Sequence, residues 1–192
     1  MGIVPNEPVS VAVSGSVMAV CRRGLHTFSK QSVDRIQLVE GLGVLGDSHA
    51  GATVQHRSRV RQDPNQPNLR QVHLIHGELI EELANAGYTV RPGDLGENMT
   101  TAGVDLLGLP QDTLLHLGRA AVVRVTGLRD PCQQINDFAD GLLKQVLVPG
   151  PDGEVVRKAG VMGVVERGGM VYPDDPIHVE LPAGEHRRLE RV

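Results

Sequence analysis

The sequence of 192 residues contains few aromatic side chains: two phenylalanines, two tyrosines and no tryptophan. Its hydrophobic core must therefore be built from valine, leucine and isoleucine, and the many valines favour strands. The scarcity of rings also argues against a stacking platform for single-stranded nucleic acid. With 40% hydrophobic and 22% charged residues, the composition is otherwise that of an ordinary globular protein.

Cysteine, excess positive charge and long apolar runs are also lacking. Two cysteines, Cys21 and Cys132, are too few for a secreted disulfide scaffold, so free thiols in a reducing cytoplasm are expected. A net charge of −4 provides no electrostatic footprint for nucleic acid or an anionic membrane. No apolar run approaches the roughly 18 residues that span a bilayer, and the first residues lack the basic region of a signal peptide. We expect one cytoplasmic domain over residues 1–192, with a charged tail at 183–192.

Alternation of apolar and polar residues predicts several short strands, at residues 9–20, 32–40, 71–75, 113–117, 120–126, 161–165 and 177–181. The strands at 113–117 and 120–126 flank Gly118-Arg119 and are expected to form a hairpin. Residues 41–47, rich in glycine, are predicted to form a loop. Helical spacing predicts one helix near 77–86, stopped by Gly87, and a second beginning at Asp130 or Pro131. In the second, one face carries Ile135, Phe138, Leu142 and Val146. Because strands do not alternate with helices, the pattern favours a β-rich (α+β) barrel or sandwich with two or three helices over a doubly wound sheet.

The segment Arg129-Asp130-Pro131-Cys132 leaves a predicted strand and opens a predicted helix. Aspartate is a good N-cap and proline suits the first helical position. Cys132 then falls in the first turn, where free N–H groups and the helix dipole favour a thiolate. The local pattern fits a reactive cysteine or a buried core cysteine about equally. Cys21 follows an apolar run and is interpreted as structural.

Two loops carry further polar candidates. In the run GDSHAG (46–51), Asp47 and His49 fit an acid/base pair, metal ligands, or an aspartate that bonds its own turn. Arginines alternate at positions 57, 59 and 61 and fit either an anion-binding edge or a solvated one. In PGDLGEN (92–98), Glu97 and Asn98 follow glycines that allow close approach of a ligand, or they belong to a structural corner.

Four segments in order resemble the MOSC domain, which is named for the C-terminal part of molybdenum-cofactor sulfurases. They are LGDSHAG (45–51), RQVHLIHGELIEEL (70–83), RPGDLGENMTTAGVDL (91–106) and TGLRDPCQQI (126–135). The resemblance covers about residues 33–181. It implies a barrel-like, mostly antiparallel sheet around a cleft, with Cys132 at the position of the family's hallmark cysteine. Ser48 departs from the family, whose members often carry a basic residue there.

The resemblance also implies a function. In family members studied as enzymes, the hallmark cysteine ligates the molybdenum of a pterin cofactor, molybdopterin, and the substrates are N-hydroxylated compounds, including nucleobases. Cys132 is therefore expected to be the metal ligand and catalytic residue. Candidates for holding the cofactor phosphate are Arg57, Arg70 and Arg129, and candidates for lining the pocket are Asp47, His49, Glu97 and Asn98. Pyridoxal phosphate is not expected in this chain.

Two partner classes follow from the same resemblance. A reductase of this kind needs an external electron-transfer protein, because the chain has no flavin or iron–sulfur module, and it takes a small-molecule substrate. The alternative is a carrier of sulfur or of the cofactor, in which Cys132 receives a persulfide from a sulfur donor and the chain has no turnover of its own. A degenerate domain that binds only a partner protein is a third hypothesis.

Overall fold

A computed structural model describes residues 13–55 and 60–192. Its strands, in chain order, are β1 (Val13–Arg22), β2 (Gln31–Val33), β3 (Ile36–Val39), β4 (Gly43–Val44), β5 (Val72–His76), β6 (Met99–Ala102), β7 (Leu114–Leu117), β8 (Ala121–Leu128), β9 (Leu147–Pro149), β10 (Val155–Arg157), β11 (Val161–Arg167), β12 (Gly169–Val171) and β13 (Pro176–Glu180). The helices of the described part are α1 (Gly77–Asn85), α2 (Gln133–Phe138) and α3 (Leu142–Val146). The first residues of the predicted strand at 9–20 lie outside the described residues.

Seven strands close into a barrel in the order β1-β13-β7-β8-β11-β5-β6, and β6 pairs again with β1. The pairing within this ring is antiparallel except between β5 and β6. β2 extends β1 outside the ring, while β12, β3 and β4 form a small separate sheet and β9 pairs with β10. The predicted β-rich, mostly antiparallel barrel with helices is confirmed, and the hairpin of β7 and β8 lies where the alternation predicted it.

Two apolar clusters support this arrangement. The first fills the barrel with valine, leucine and methionine side chains, among them Val17, Leu74, Met99, Leu115 and Val123. The second lies against α1, α2 and α3 and includes Ile75, Leu79, Leu83, Ile135 and Leu142. Neighbouring residues of β5, Leu74 and Ile75, belong to different clusters because successive side chains of a strand point to opposite faces. β5 therefore joins the barrel to the helical layer.

The helix predicted to begin at Asp130 or Pro131 begins at Gln133, so that prediction is wrong. Cys132 is the N-cap residue, with extended backbone angles of φ −126° and ψ 172°, and no side chain caps the helix. The Asp130 carboxylate instead lies 3.5 Å from nitrogen atoms of both Arg157 and Arg191. These long-range ion pairs hold Asp130 away from the helix N-terminus.

The predicted second helix is also divided. Gly141 has a φ of +78°, a left-handed conformation that glycine adopts without a steric penalty, and it separates α2 from α3. Leu142 and Val146 still pack with Ile135, but Phe138 is exposed. The predicted loop at 41–47 likewise contains β4, which pairs with β3. None of the helices in the described part is long and apolar enough to cross a membrane.

Candidate functional site

A cleft of about 770 Å³ lies where several loops converge. Its lining comes from the β1–β2 connection (His26, Thr27, Phe28, Lys30), the segment after β4 (His49, Gln62, Gln66, Arg70), β5 (His73), the approach to β6 (Gly96, Asn98), the β8–α2 junction (Arg129, Asp130, Cys132, Gln133, Gln134) and β11 (Met162). This volume is within the roughly 300–1,000 Å³ of small-molecule sites. The closed barrel holds these distant segments together.

The cleft brings together most of the residues predicted from the sequence. Cys132, Arg129, Arg70, His49 and Asn98 line it. Asp47 and Glu97 were expected to line the pocket, but they are buried and are not among the lining residues. Arg57 lies outside the described residues. No group of three or more histidine, cysteine or acidic side chains that could hold a metal by itself occurs at 13–55 or 60–192.

The two cysteines of the chain have opposite environments. Cys132 is exposed, and its Sγ donates to Gln134 Oε1 at 3.6 Å. Cys21 is buried in β1, and burial raises the pKa of its thiol to about 11, against the opposing hydrogen bond from Ser32. A soft metal or a sulfur donor that enters the cleft therefore meets one accessible thiol, that of Cys132.

A buried ion pair lies beneath the cleft. Lys30 Nζ is 2.9 Å from Asp47 Oδ2, and Asp47 also accepts hydrogen bonds from the backbone N–H of His49 at 3.0 Å, from that of Arg23 at 3.3 Å and from Asn98 Nδ2 at 3.1 Å. Burial opposes the charge of Asp47, but the bonds from His49 and Lys30 outweigh it and hold the pKa of Asp47 well below its usual range. Burial lowers the pKa of Lys30, against the attraction of Asp47.

The PGDLGEN segment forms a tightly bonded corner. Asn98 donates to the carbonyl of Cys21 at 3.2 Å and accepts the N–H of His73 at 3.2 Å, so its amide ties β1 to β5. Glu97 Oε1 accepts the N–H of Gly93 at 2.5 Å, and burial raises the pKa of Glu97. Gly96 has a φ of +86°, and a Cβ there would lie 2.7 Å from the carbonyl oxygen of Phe28. These contacts shape the cleft from behind.

Arg129 is the most distinctive charge in the cleft wall. Arg129 is only 9% exposed, and its guanidinium lies 6.0 Å from the centroid of the Phe28 ring. Its Nη1 is buried with no hydrogen-bond partner among the described residues. Burial lowers the pKa of Arg129, against the attraction of Cys132 and Glu97. Because buried polar groups are normally satisfied, the unpartnered Nη1 indicates a place for an anionic oxygen of a ligand.

The remaining lining charges strengthen that indication. Lys30 and Arg70 also line the cleft, and Arg70 donates to the main-chain carbonyl of Val192. The acidic lining residue, Asp130, is paired with Arg157 and Arg191. The described part of the cleft thus has an excess of positive charge beside a free thiol.

His73, Lys30 and Phe28 are lining residues that the sequence did not identify. His73 Nε2 donates to the carbonyl of Ala159 at 2.7 Å, and burial, reinforced by Arg129, holds the pKa of His73 well below its usual value. It is therefore neutral at pH 7. The sequence carries only a weak signal for His73, namely a polar residue within an apolar strand.

Comparison with known proteins agrees with the fold. The family model of the MOSC domain matches residues 53–178. YuaD protein from Bacillus subtilis has a crystal structure with a TM-score of 0.69 and 24% identity, covering 86% of this chain and 94% of that one. YiiM from Escherichia coli has a TM-score of 0.59 and 21% identity, with coverages of 90% and 73%. YiiM from Geobacillus stearothermophilus has a TM-score of 0.53 and 14% identity, covering 88% of this chain and 74% of that one.

None of the curated proteins resembles the chain closely enough to count as a match. The solved structures support the barrel and its topology. Their sequence identities are low, so the likeness concerns the fold alone. The family model is the stronger finding, because it spans more than half of the chain and includes the segments around Arg70, Glu97 and Cys132. The resemblance seen in the sequence is therefore confirmed, and the chain belongs to the MOSC domain family.

Proposed function

We propose that the protein binds molybdopterin-type molybdenum cofactor in this cleft and uses it to reduce N-hydroxylated small molecules. The observation that carries the proposal is the pairing of one accessible thiol, Cys132, with the buried, unpartnered Nη1 of Arg129 in the same cleft. A MOSC domain is associated with this cofactor, and a soft thiolate beside an anion-binding wall suits a group that carries both a sulfur-rich metal centre and a phosphate.

The residues present fit such a group. A thiolate at Cys132 would ligate the metal, since molybdenum in a sulfur-rich centre favours soft ligands. Arg129 and Arg70 would hold the phosphate, and Arg57 remains a predicted contributor. Gly96 lets its backbone lie close to the Phe28 carbonyl, where a Cβ would clash, and so keeps the Phe28 segment in the cleft wall.

The bound cofactor would supply two-electron redox chemistry at its metal. The chain's own residues would orient the substrate, exclude bulk water and provide protons. An external electron-transfer protein would deliver the electrons. Exposed Cys132 and buried Cys21, both free thiols, are consistent with the reducing cytoplasm that we propose as its location.

A second candidate function is transfer of sulfur or cofactor without turnover. It is favoured by the exposure of Cys132, whose thiol hydrogen-bonds to Gln134 and is accessible to a donor protein. In this role, Cys132 would hold a persulfide received from a sulfur donor.

The test is the molybdenum content of full-length protein from a molybdate-fed host. We expect Cys132→Ser to lose the metal, and the matched variant Cys21→Ala, which alters the buried thiol, to retain it. Molybdenum retained in Cys132→Ser would show that the ligand assignment is wrong. Intact-mass spectrometry separates the alternative, since an adduct of about 32 Da, one sulfur atom, on Cys132 without molybdopterin would indicate the carrier.

A further inference from the structure

A guanidinium and a carboxyl group near the cleft each keep one buried polar atom unpaired. Arg129 Nη1 and Glu97 Oε2 have no hydrogen-bond partner among the described residues, and the two residues are only 9% and 1% exposed. The side chains act on each other electrostatically, yet no hydrogen bond joins these two atoms. Because buried polar groups are normally satisfied, the pair is incomplete without a ligand.

Glu97 lies directly behind the cleft wall. Gly96, the residue before it, and Arg129 both line the cleft, whereas Glu97 itself does not. Its other carboxyl oxygen, Oε1, accepts the N–H of Gly93 at 2.5 Å and the hydroxyl of Thr100 at 3.2 Å. The carboxyl group is therefore fixed in place, and it acts on a ligand in the cleft through its charge and not through contact.

The protonation of Glu97 decides how much of the Arg129 charge is available to a ligand. Burial raises the pKa of Glu97, against hydrogen bonds from Gly93 and Thr100 and the attraction of Arg129. The neutral acid leaves the charge of the guanidinium unopposed. The ionised carboxylate attracts the guanidinium and repels an incoming anion.

The other ionisable groups that act on Glu97 keep one charge state near neutral pH. Cys21 of β1 and Lys30 of the β1–β2 connection both interact with it electrostatically. Burial raises the pKa of the Cys21 thiol to about 11, so this thiol stays protonated. Lys30 forms its ion pair with Asp47 at 2.9 Å. Glu97 is therefore the member of this group whose charge changes with pH.

Three further groups act on Arg129 from other elements. Burial, reinforced by Arg129, holds the pKa of His73 on β5 well below its usual value, so its ring is neutral. Asp130 and Cys132 attract the guanidinium from the β8–α2 junction, and Asp130 is paired with two other arginines. A variant at position 97 leaves all three unchanged, so its comparison with the wild type isolates Glu97.

We propose that Glu97 is a positioning residue that couples the binding of an oxyanion at Arg129 to the uptake of one proton; the proposal rests on the anion-binding role of Arg129 in the proposed function. The ligand group is of the phosphate-monoester or sulfate class. The proton comes from solvent and is held on the Glu97 carboxyl group. The affinity is therefore highest below the pKa of Glu97 and falls as the pH rises through it, and by linkage the bound anion raises that pKa.

The test measures binding of sulfate, which stays a dianion throughout, to full-length, metal-free protein by calorimetry at about pH 5.5 and about pH 7.5, with ionic strength held constant. We expect the Kd of the wild type to rise about tenfold more than that of Glu97→Gln, which corresponds to one pKa unit. At the higher pH, Glu97→Gln should bind sulfate about tenfold more tightly than the wild type. Damage to the structure would not produce such a gain.

The chain offers a matched control in Glu78 of α1. Its Oε1 likewise accepts the backbone N–H of a loop glycine, Gly103, at 2.8 Å, and it does not line the cleft. Glu78→Gln should keep the wild-type pH profile, and Arg129→Gln should lose sulfate binding. Parallel profiles for the wild type and Glu97→Gln would overturn the proposal, as would a wild type that does not bind sulfate or an Arg129→Gln variant that binds it equally well.

A second readout needs no variant. The carbon-13 NMR shift of the Glu97 carboxyl group, followed against pH in labelled full-length protein, reports its protonation directly. Saturating sulfate should raise the midpoint by about one pH unit relative to chloride at equal ionic strength, and an unchanged midpoint would contradict the coupling. Absence of molybdenum from protein made in a molybdate-fed host would instead overturn the proposed function, while both readouts, taken on metal-free protein, would still decide the role of Glu97.

Discussion

Two parts of the cleft differ in how firmly they are held. The buried polar layer, defined as Lys30, Asp47, His73 and Arg129, is at most 9% exposed, and its hydrogen bonds connect segments that are distant in the chain. The thiol edge, defined as Cys132, Gln133 and Gln134, is exposed at the start of the six-residue helix α2.

The difference separates two tasks. Charges that recognise an anion act best when they are fixed before the ligand arrives, because no reorganisation is then needed. A thiol that must meet a metal or a sulfur donor has to be accessible. Under the proposed function, the layer would be the preorganised part of the cleft and the edge its reactive part.

The largest expected difference is in thiol reactivity. A pKa of about 11 for Cys21 leaves it roughly 300-fold less thiolate near neutral pH than an ordinary thiol with a pKa of about 8.5, and burial restricts access further. In cofactor-free protein, iodoacetamide should therefore label Cys132 at least about 100-fold faster than Cys21. Peptide mass spectrometry over a time course measures both rates, and Cys21→Ala identifies the fast site. Equal rates would contradict the burial of Cys21 and the exposure of Cys132.

The next effect is on stability. Asp47→Ala leaves the Lys30 charge buried without its partner, which should cost about 3–5 kcal/mol in the free energy of unfolding. The matched control is Glu154→Ala, which breaks an ion pair with Arg188 whose side chains are 66% and 80% exposed; it should cost less than about 1 kcal/mol. Urea unfolding measures both variants.

The pH dependence of the Asp47 effect follows from its lowered pKa. Because the folded value is below the unfolded value of about 3.9, the ionised carboxylate stabilises the fold above that pH, and this contribution is lost as the pH falls. The difference between wild type and Asp47→Ala should be constant from about pH 6 to 8 and shrink below about pH 4. If Asp47→Ala and Glu154→Ala lowered the free energy of unfolding equally at neutral pH, the result would contradict a buried layer.

The smallest effect concerns His73. Its folded pKa is lowered, so the neutral ring stabilises the fold above the unfolded pKa of about 6.5, and that stabilisation is lost as the pH falls. One proton contributes at most about 1.4 kcal/mol per pH unit to the slope of the free energy of unfolding against pH. Glu97, whose pKa is raised by burial, acts in the opposite direction, because its contribution is present at low pH and lost as the pH rises.

His73→Gln isolates the histidine contribution, since Glu97 is unchanged. Urea unfolding of the wild type and the variant at a series of pH values from 8 to 5 should show a weaker loss of stability in the variant on the acid side. Parallel pH profiles would mean that His73 is not held neutral by its surroundings.

Much of the fold was predictable because its signals are local. Alternation over the residues of β7 and β8, with Gly118 between them, predicts their hairpin, and the ordered family motifs predict the barrel. The apolar periodicity through Ile135 and Val146 correctly predicted that these side chains are buried, but it wrongly predicted one continuous helix. Spacing does not report the left-handed φ of Gly141, and it does not report the arginines that hold Asp130.

The residues of the site likewise differ in how far the sequence predicts them. Cys132, Arg129 and His49 lie in motifs and were identified. Lys30 and His73 acquire their roles from partners 17 and 86 residues away, and no local pattern encodes such a contact. Asp47 and Glu97 were expected to line the pocket but are buried behind it, because a motif does not show which side of a loop faces the cleft.

The closure of the barrel by β1 and β13 has a consequence for biosynthesis. Val13 pairs with His178, and at about 5–20 residues per second a ribosome needs roughly 8–33 s to add the 165 residues that separate them. Until β13 emerges, β1 lacks one of its ladder partners and the ring that holds the cleft loops together is open. Sheets closed by such distant pairing fold slowly. The thiol of Cys132 is therefore synthesised before the barrel can close, and the cleft reaches its final geometry only after β13 has been made.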